Sequence, residues 1–404
     1  MNDKSIPKLR FPEFTGEWEQ RKLNQIADIM GGGTPSTSNP EYWDGNIDWY
    51  APAEIGEQRF ANGSVRKITE LGLQKSSATV LPADRTILFT SRAGIGKTAI
   101  LRRSGATNQG FQSLVLKDGC NPYFIYSMSD SIKEKAEAVA SGSTFLEISG
   151  KMLGNLEIML PDKSEQDKIA ANFESLDNLI TLHQRKCDDL KKLRNGVIQR
   201  ILSRELRFKR TDGSEFENWV TKELSEIFTE RKVSQTITED APLLSFTIEQ
   251  GVINPQDKKT NKRDFLIKDK DTKKFALTEV DDIIYNPANL KYGAIHRNKL
   301  MRGVVSPIYA IFYTEQNPAF MEYVVKNPTF IKNSLKYLEG TVIKLMTLKP
   351  KDFLKLKVEI PASLEEQKII ADFLMQFDET IDAEQRRIEK WKELKKGLIQ
   401  QMFI

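Results

Sequence analysis

Residues 165–202 read EQDKIAANFESLDNLITLHQRKCDDLKKLRNGVIQRIL, and the fold turns on the spacing within that stretch. Alternating steps of four and three pick out Ile169, Phe173, Leu176, Ile180, His183, Cys187, Leu190, Arg194, Val197 and Ile201. Eight of these ten are apolar when Cys187 is counted as a small hydrophobe, and neither Gly nor Pro interrupts the run before Gly196. A stripe repeating every 3.5 residues stays on one side of a helix, so the pattern predicts a helix packed lengthwise against another. At 1.5 Å per residue the rod would be roughly 55 Å long.

The second helix is encoded in the same chain. Adding 201 to each position gives Ile370, Leu374, Phe377, Ile381, Glu384, Ile388, Trp391, Lys395, Leu398 and Met402, with the same steps and no gap. Positions off the stripe coincide too: Glu165-Gln166 with Glu366-Gln367, Ala170 with Ala371, Asp177 with Asp378, Gly196 with Gly397. Such a recurrence at half the chain length is an internal duplication. It extends upstream: Trp18, Leu23 and Ile26 recur 201 later as Trp219, Leu224 and Ile227. Leu9-Arg10-Phe11 recurs 197 later as Leu206-Arg207-Phe208, and a four-residue insertion around 209–212 reconciles the two offsets. The polar stripe residue His183 is expected to face Glu384 or its neighbours.

Between these repeated ends lie two divergent bodies, about 20–160 and 221–360. The first opens on a loop, Gly31-Gly32-Gly33-Thr34-Pro35-Ser36-Thr37-Ser38-Asn39-Pro40, by its turn residues. Strand-like runs follow at 47–50, 86–90, 113–116 and 156–160, with a helix over 121–140 entered through Asn121-Pro122. The second body offers strands at 283–285, 310–313 and 356–360 and a helix after Asn317-Pro318. Gly142-Ser143-Thr144 corresponds loosely to Gly340-Thr341, and Pro161 to Pro361. Short mixed elements without a βαβ rhythm predict an α+β fold. The expected architecture is an internal duplication of two α+β bodies separated by two long antiparallel coiled-coil helices related by a pseudo-twofold. The boundaries fall at 1–160, 161–204, 205–360 and 361–404.

Composition bounds the function. The 404 residues are 39% hydrophobic and 29% charged, as in soluble globular domains. No apolar run approaches a membrane span, and the start MNDKSIPKLRF lacks the apolar core of a signal peptide. With only Cys120 and Cys187 there is no disulfide framework, and a cytoplasmic location is expected. Sixty basic and 56 acidic residues leave a net charge of +4, which permits nucleic-acid binding without demanding it.

Catalytic motifs fail one by one. Ser91-Arg92-Ala93-Gly94-Ile95-Gly96-Lys97-Thr98 resembles a phosphate loop, but Ser91 stands where the first Gly belongs and no long helix follows. Its counterpart at 286–297 keeps Lys291, Tyr292, Gly293, His296 and Arg297 without Gly-Lys-Thr, which favours surface recognition. Asn286-Pro287-Ala288-Asn289 misses the Asn/Asp-Pro-Pro-aromatic loop of a base methyltransferase at its last two positions. Pro161-Asp162 with Asp189-Leu190-Lys191 is a poor nuclease match on a solvated helix face, and two histidines with two scattered cysteines do not make a zinc site. What remains is recognition: Thr34, Ser36, Arg92, Lys97, Thr98, Asn108, Gln109 and Gln112 in the first body, and Asn286, Lys291, Tyr292, His296 and Arg297 in the second, have the side chains that contact phosphates and base edges. The Lys-rich run at 257–274 reads as a solvated loop that could also meet phosphate.

The whole chain resembles the specificity (S) subunits of type I restriction-modification systems. The resemblance rests on Gly32-Gly33-Thr34-Pro35-Ser36, Asn39-Pro40 and Tyr42-Trp43, on Gly142-Ser143-Thr144 ahead of Pro161 and Glu165-Gln166-Asp167-Lys168-Ile169-Ala170, and on the counterpart from Pro361 to Gln367. The duplicated long helices alternating with two variable bodies carry it further. It implies two target recognition domains, each binding half of a bipartite site on double-stranded DNA, and helices that set the spacer. It implies assembly with two modification (methyltransferase) subunits and two ATP-dependent restriction subunits. S-adenosylmethionine, ATP and Mg²⁺ then belong to those partners, and this chain carries no cofactor and no catalytic residue. Two other readings stand beside it: a coiled-coil adaptor between proteins without DNA, and a stand-alone DNA-modifying enzyme.

Overall fold

The computed structural model describes residues 5–56, 58–92, 94–141, 146–258, 273–337 and 347–404. The landmarks Gly142-Ser143-Thr144 and Gly340-Thr341 and most of the Lys-rich run at 257–274 lie outside them. The chain divides into two compact units, residues 1–185 with 384–404, and residues 186–383. Two long helices, Lys163–Leu202 of 40 residues and Leu364–Met402 of 39, each contribute one part to one unit and the rest to the other.

In the first unit, helical stretches 163–185 and 384–402 meet side by side. Phe173 packs on Phe403 with ring centroids 5.6 Å apart, Lys395 Nζ donates to both oxygens of Asp177 at 2.8 Å, and His183 Nδ1 lies 2.7 Å from Glu384 Oε2. Numbers rise along one stretch as they fall along the other, so the two run antiparallel here. The polar stripe residues are thus explained: His183 meets Glu384, and Lys395 meets Asp177. In the second unit Arg194 Nε makes the matching pair with Asp378 at 2.7 Å. Not one of the twenty stripe residues is exposed, including the half-buried Ile180, Leu190, Val197, Phe377, Trp391 and Leu398, whereas Leu182 and Leu193 off the stripe are 61% and 55% exposed.

The first body is built on a five-stranded sheet in the order Ala27–Gly31, Gln112–Leu116, Thr86–Phe89, Thr98–Leu101, Phe60–Ala61. A three-stranded sheet joins Arg66–Ile68, Trp43–Tyr50 and Gly105–Thr107. A ribbon of Glu19–Lys22 against Glu157–Leu160 ties the beginning of the body to its end. The segment expected as one helix over 121–140 is two, Pro122–Ser127 and Ser129–Val139. Met128 between them has ψ 3°, which breaks the i→i−4 ladder.

The second body repeats the ribbon, Val220–Glu223 against Lys357–Ile360, with Val220 opposite Ile360 as Glu19 is opposite Leu160. Its sheets differ: Phe228–Glu230, Ala310–Thr314, Ile283–Tyr285 and Ile295–Arg297 in one, Ser234–Gln235, Phe275–Thr278 and Gly303–Val305 in another. The inserted residues form a tight turn in which Arg210 N donates to Ser214 O at 2.9 Å and Gly213 has φ +84°.

The scaffold contacts are made twice. Arg10 grips the buried Glu165 with Nε and Nη2 at 2.7 and 2.6 Å, and Arg207 Nη2 reaches the buried Glu366 at 3.2 Å. Gln166 accepts from Asn121 N and Gln367 from Asn317 N, both at 3.0 Å, fixing the residue that caps the helix behind it. Trp18 meets Phe124 edge-on at 5.9 Å, and Trp219 meets Phe320 at 6.1 Å. Tyr123 Oη donates to Asp177 at 2.7 Å and Tyr323 Oη to Asp378 at 2.6 Å, although these tyrosines lie on opposite sides of Phe124 and Phe320 in sequence.

Candidate nucleic-acid interface

In the first unit three loops converge. Gly32 and Gly33 let the first approach its neighbours: a Cβ on Gly32 would stand 2.1 Å from Asn108 O, and one on Gly33 2.5 Å from Ala78 N. Gly33 N donates to Thr107 O at 2.9 Å. Two indoles hold the loop from beneath, Trp49 Nε1 donating to Gly33 O at 2.9 Å and Trp43 Nε1 to Ser36 O at 3.1 Å. Trp43 and Trp49 meet edge-on at 5.1 Å, and the Arg66 guanidinium lies 3.5 Å from the Trp43 ring centroid. With its backbone pinned, the loop presents the exposed side chains of Thr34 and Ser36, and the Thr34 hydroxyl bonds to Gln109 of the second loop.

The third loop, 91–97, is joined to the second by Ser91 N donating to Gly110 O at 2.8 Å. Gly94 and Gly96 sit at φ +103° and +82°, a left-handed backbone that other residues adopt with strain. Thr90 Oγ1 closes the turn, donating to Gly94 O at 2.6 Å and accepting from Lys97 N at 2.9 Å. Lys97 is exposed and Arg92 half-exposed, and neither side chain has a carboxylate partner among the described residues. Thr34, Ser36, Gln109, Arg92 and Lys97 therefore share a polar, net-positive rim. Asn108 works beneath it, its Oδ1 accepting from Gly110 N at 2.8 Å, and Gln112 is half-buried in the sheet. Thr98 is turned away, donating to Ser129 Oγ at 2.8 Å.

In the second unit the turn after Ile283–Tyr285 is shaped by Asn286, whose Oδ1 accepts from Ala288 N at 3.0 Å, and by Gly293 at φ +82°. It carries Tyr292, 63% exposed, with Lys291 Nζ 5.1 Å from the Tyr292 ring centroid. His296 and Arg297 do not belong to this surface. The His296 ring is buried, with Nε2 2.7 Å from Ile248 O and Nδ1 3.0 Å from Lys326 Nζ. Burial, with Lys326 beside it, pushes its pKa down to about 4, so the ring is neutral, donates from Nε2 and accepts at Nδ1. Arg297 Nη1 is bound to Asp281 at 2.6 Å, with Nε 3.6 Å from Glu322. His296 is buried within strand Ile295–Arg297, and Arg297 at its end is half-buried and held by its carboxylate partners. Conversely, Trp43 enters from sequence only as part of the family resemblance, and Trp49 and Arg66 carry no sequence signal that points to this loop. Trp49 and Arg66 face each other across a strand pair, and only that register joins them.

No helix among the described residues is long and apolar enough to cross a membrane. A family model described as the type I restriction modification DNA specificity domain matches residues 15–192 and 307–393. The match takes in more than half of the sequence, and the chain belongs to that family. The MjaIX specificity subunit of a type I restriction enzyme from Methanocaldococcus jannaschii is 35% identical over 189 residues, 46% of this chain and 42% of that protein. The MjaX protein of the same organism, named as a putative specificity subunit, is 25% identical over 98% of this chain and 95% of its own length. The crystal structure of a type I S subunit from M. genitalium covers 99% of both chains with a TM-score of 0.61 at 17% identity, a likeness of fold. The alignments to the MjaIX subunit and to the EcoR124I/EcoR124II specificity subunit of Escherichia coli span less than half of each relative.

Proposed function

We propose that this chain is the DNA-specificity subunit of a type I restriction-modification complex. Each body reads one half of a bipartite, asymmetric site on double-stranded DNA. The long helices pair as an antiparallel coiled coil with pseudo-twofold symmetry, set the spacer and dock two methyltransferase subunits. Target recognition domains at 1–160 and 205–360 alternate with helical segments at 161–204 and 361–404. The complex works in the cytoplasm and also takes up two ATP-dependent restriction subunits. S-adenosylmethionine, ATP and Mg²⁺ act on the partners, and the role of this chain is recognition alone.

One observation carries the reading: the scaffold contacts are repeated, Arg10–Glu165 as Arg207–Glu366, while the loops that the two bodies display differ. A duplicated frame with unlike faces suits two unlike half-sites. Base contacts confer sequence and phosphate contacts position, so binding to duplex DNA should weaken steeply with salt. The test is duplex binding by the chain together with its methyltransferase partner across a salt series. Binding that falls steeply with salt is expected. Absence of binding at low salt would leave the protein adaptor, and methyl transfer by the chain alone would leave the stand-alone enzyme.

A further inference from the structure

The second unit contains a cavity of 210 Å³ to which DNA reading assigns no role. Its walls come from residues 194–199 of the first long helix, Asp378 of the second, Lys299 beyond strand Ile295–Arg297, and the junction of helices Pro318–Lys326 and Pro328–Ser334. Three cations line it, Arg194, Lys299 and Lys326, against two carboxylates, Glu322 and Asp378. The buried Glu322 holds Lys299 Nζ at 3.0 Å and Lys326 Nζ at 3.7 Å. Asp378 is taken by Arg194 Nε at 2.7 Å and by Tyr323 Oη at 2.6 Å. Behind the wall His296 is neutral, and Arg297 is balanced by Asp281 at 2.6 Å. One positive charge is left over. Burial holds the Lys326 ammonium below the ordinary lysine value, so a further anion there would be favoured.

The first unit treats the equivalent place differently. Asp177 again meets a tyrosine and a helix cation, Tyr123 and Lys395. There Arg59 comes in as well, with Nη1 3.1 Å from both Tyr123 Oη and Asn178 Oδ1 and Nη2 3.1 Å from Thr181 Oγ1. One copy closes its aspartate–tyrosine pair with its own guanidinium. The other leaves room beside two lysines.

We propose that this cavity binds an oxyanion of the phosphate class, with Lys299 and Lys326 supplying charge and the amides of Asn195, Gln199 and Asn327 supplying hydrogen bonds. The donors stand on three separate elements. That suits a tetrahedral anion, which presents oxygens to every side, better than a planar carboxylate, which prefers a single fork. The phosphate could be a backbone group of DNA or a free ion. The site stands without the DNA-reading proposal, and only its DNA source rests on that proposal.

Isothermal titration of the full chain with inorganic phosphate tests the site. One saturable phosphate per chain is expected, weakened about tenfold by Lys299→Gln or Lys326→Met, since a charged hydrogen bond is worth roughly that factor. Lys192→Gln, at a solvated position of the first long helix, should leave it unaltered. Lys299 is 55% exposed, so its variant should fold even where loss of Lys326 strains Glu322. No saturable binding, or binding unchanged in both cavity variants, overturns the proposal. If the phosphate is a DNA backbone group, it competes with duplex, and Lys299→Gln lowers the salt slope of DNA binding by about one while the preferred sequence stays the same. If it is a free ion, phosphate raises Tm and the slope does not change. Absence of duplex binding at low salt with phosphate uptake intact would count against the DNA reading and not against the cavity.

Discussion

Glu165 has no exposure at all, and Arg10 answers it with a two-pronged grip. Truncating the arginine strands a buried carboxylate, so Arg10→Ala should destabilise the first unit by about 3–5 kcal/mol. Denaturant midpoints check this, and a loss below about 1 kcal/mol would contradict it. Arg207→Ala should cost less, because the Trp219 indole also donates to Glu366, at 3.2 Å. His296 gives a pH dependence of definite sign. Its folded pKa of about 4 lies below the ordinary 6.5, so the unfolded chain binds more protons between those values. Stability therefore falls as pH drops from 6.5 towards 4, by about 3 kcal/mol for this one group, and is flat in this respect above 6.5. Urea titrations at pH 4.5 and 7 should show a smaller difference in His296→Gln than in the parent protein. An equal difference would mean that the ring is not held neutral. The contrast with His183 shows what residue-level reading reaches. His183 finds Glu384 because the two occupy matched positions of a repeated stripe. The setting of His296 is made by Ile248, Glu322 and Lys326, whose proximity no local spacing announces.

At the scale of elements, the long helices were legible because a 3.5-residue stripe persists over their length and occurs twice, so each copy checks the other. Replacing a residue on the stripe should cost far more than replacing its exposed neighbour. Phe173→Ala, fully buried against Phe403, should lose about 3–5 kcal/mol, and Leu182→Ala, 61% exposed, under about 0.5 kcal/mol. Comparable losses in thermal or chemical unfolding would refute the assignment of the buried face. The bodies were less legible. Strands such as 86–89 and 283–285 are apolar enough to stand out, while Gly105–Thr107 and Glu19–Lys22 become strands only by pairing with distant partners. The loop at 31–40 was visible from its turn residues. That Trp43 and Trp49 fix it through two carbonyls depends on tertiary register.

For the whole molecule, the offset of 201 residues predicts more than any single motif: a frame made twice, carrying two readers. On the proposed function, inserting residues in the first long helix near Asp188 should shift the spacer between half-sites or destroy assembly, and leave the bases of each half unaltered. Changed half-site bases would contradict the division between helices and bodies. The central claim, that each body reads its own half, is tested most directly by mapping methylated bases in DNA from cells that express the chain with its partner subunits. The mapping compares the parent with a chain whose residues 221–360 come from a relative of different specificity. The account predicts that one half of the methylated motif changes and the other is kept. A motif that stays whole, or that changes in both halves, would contradict it.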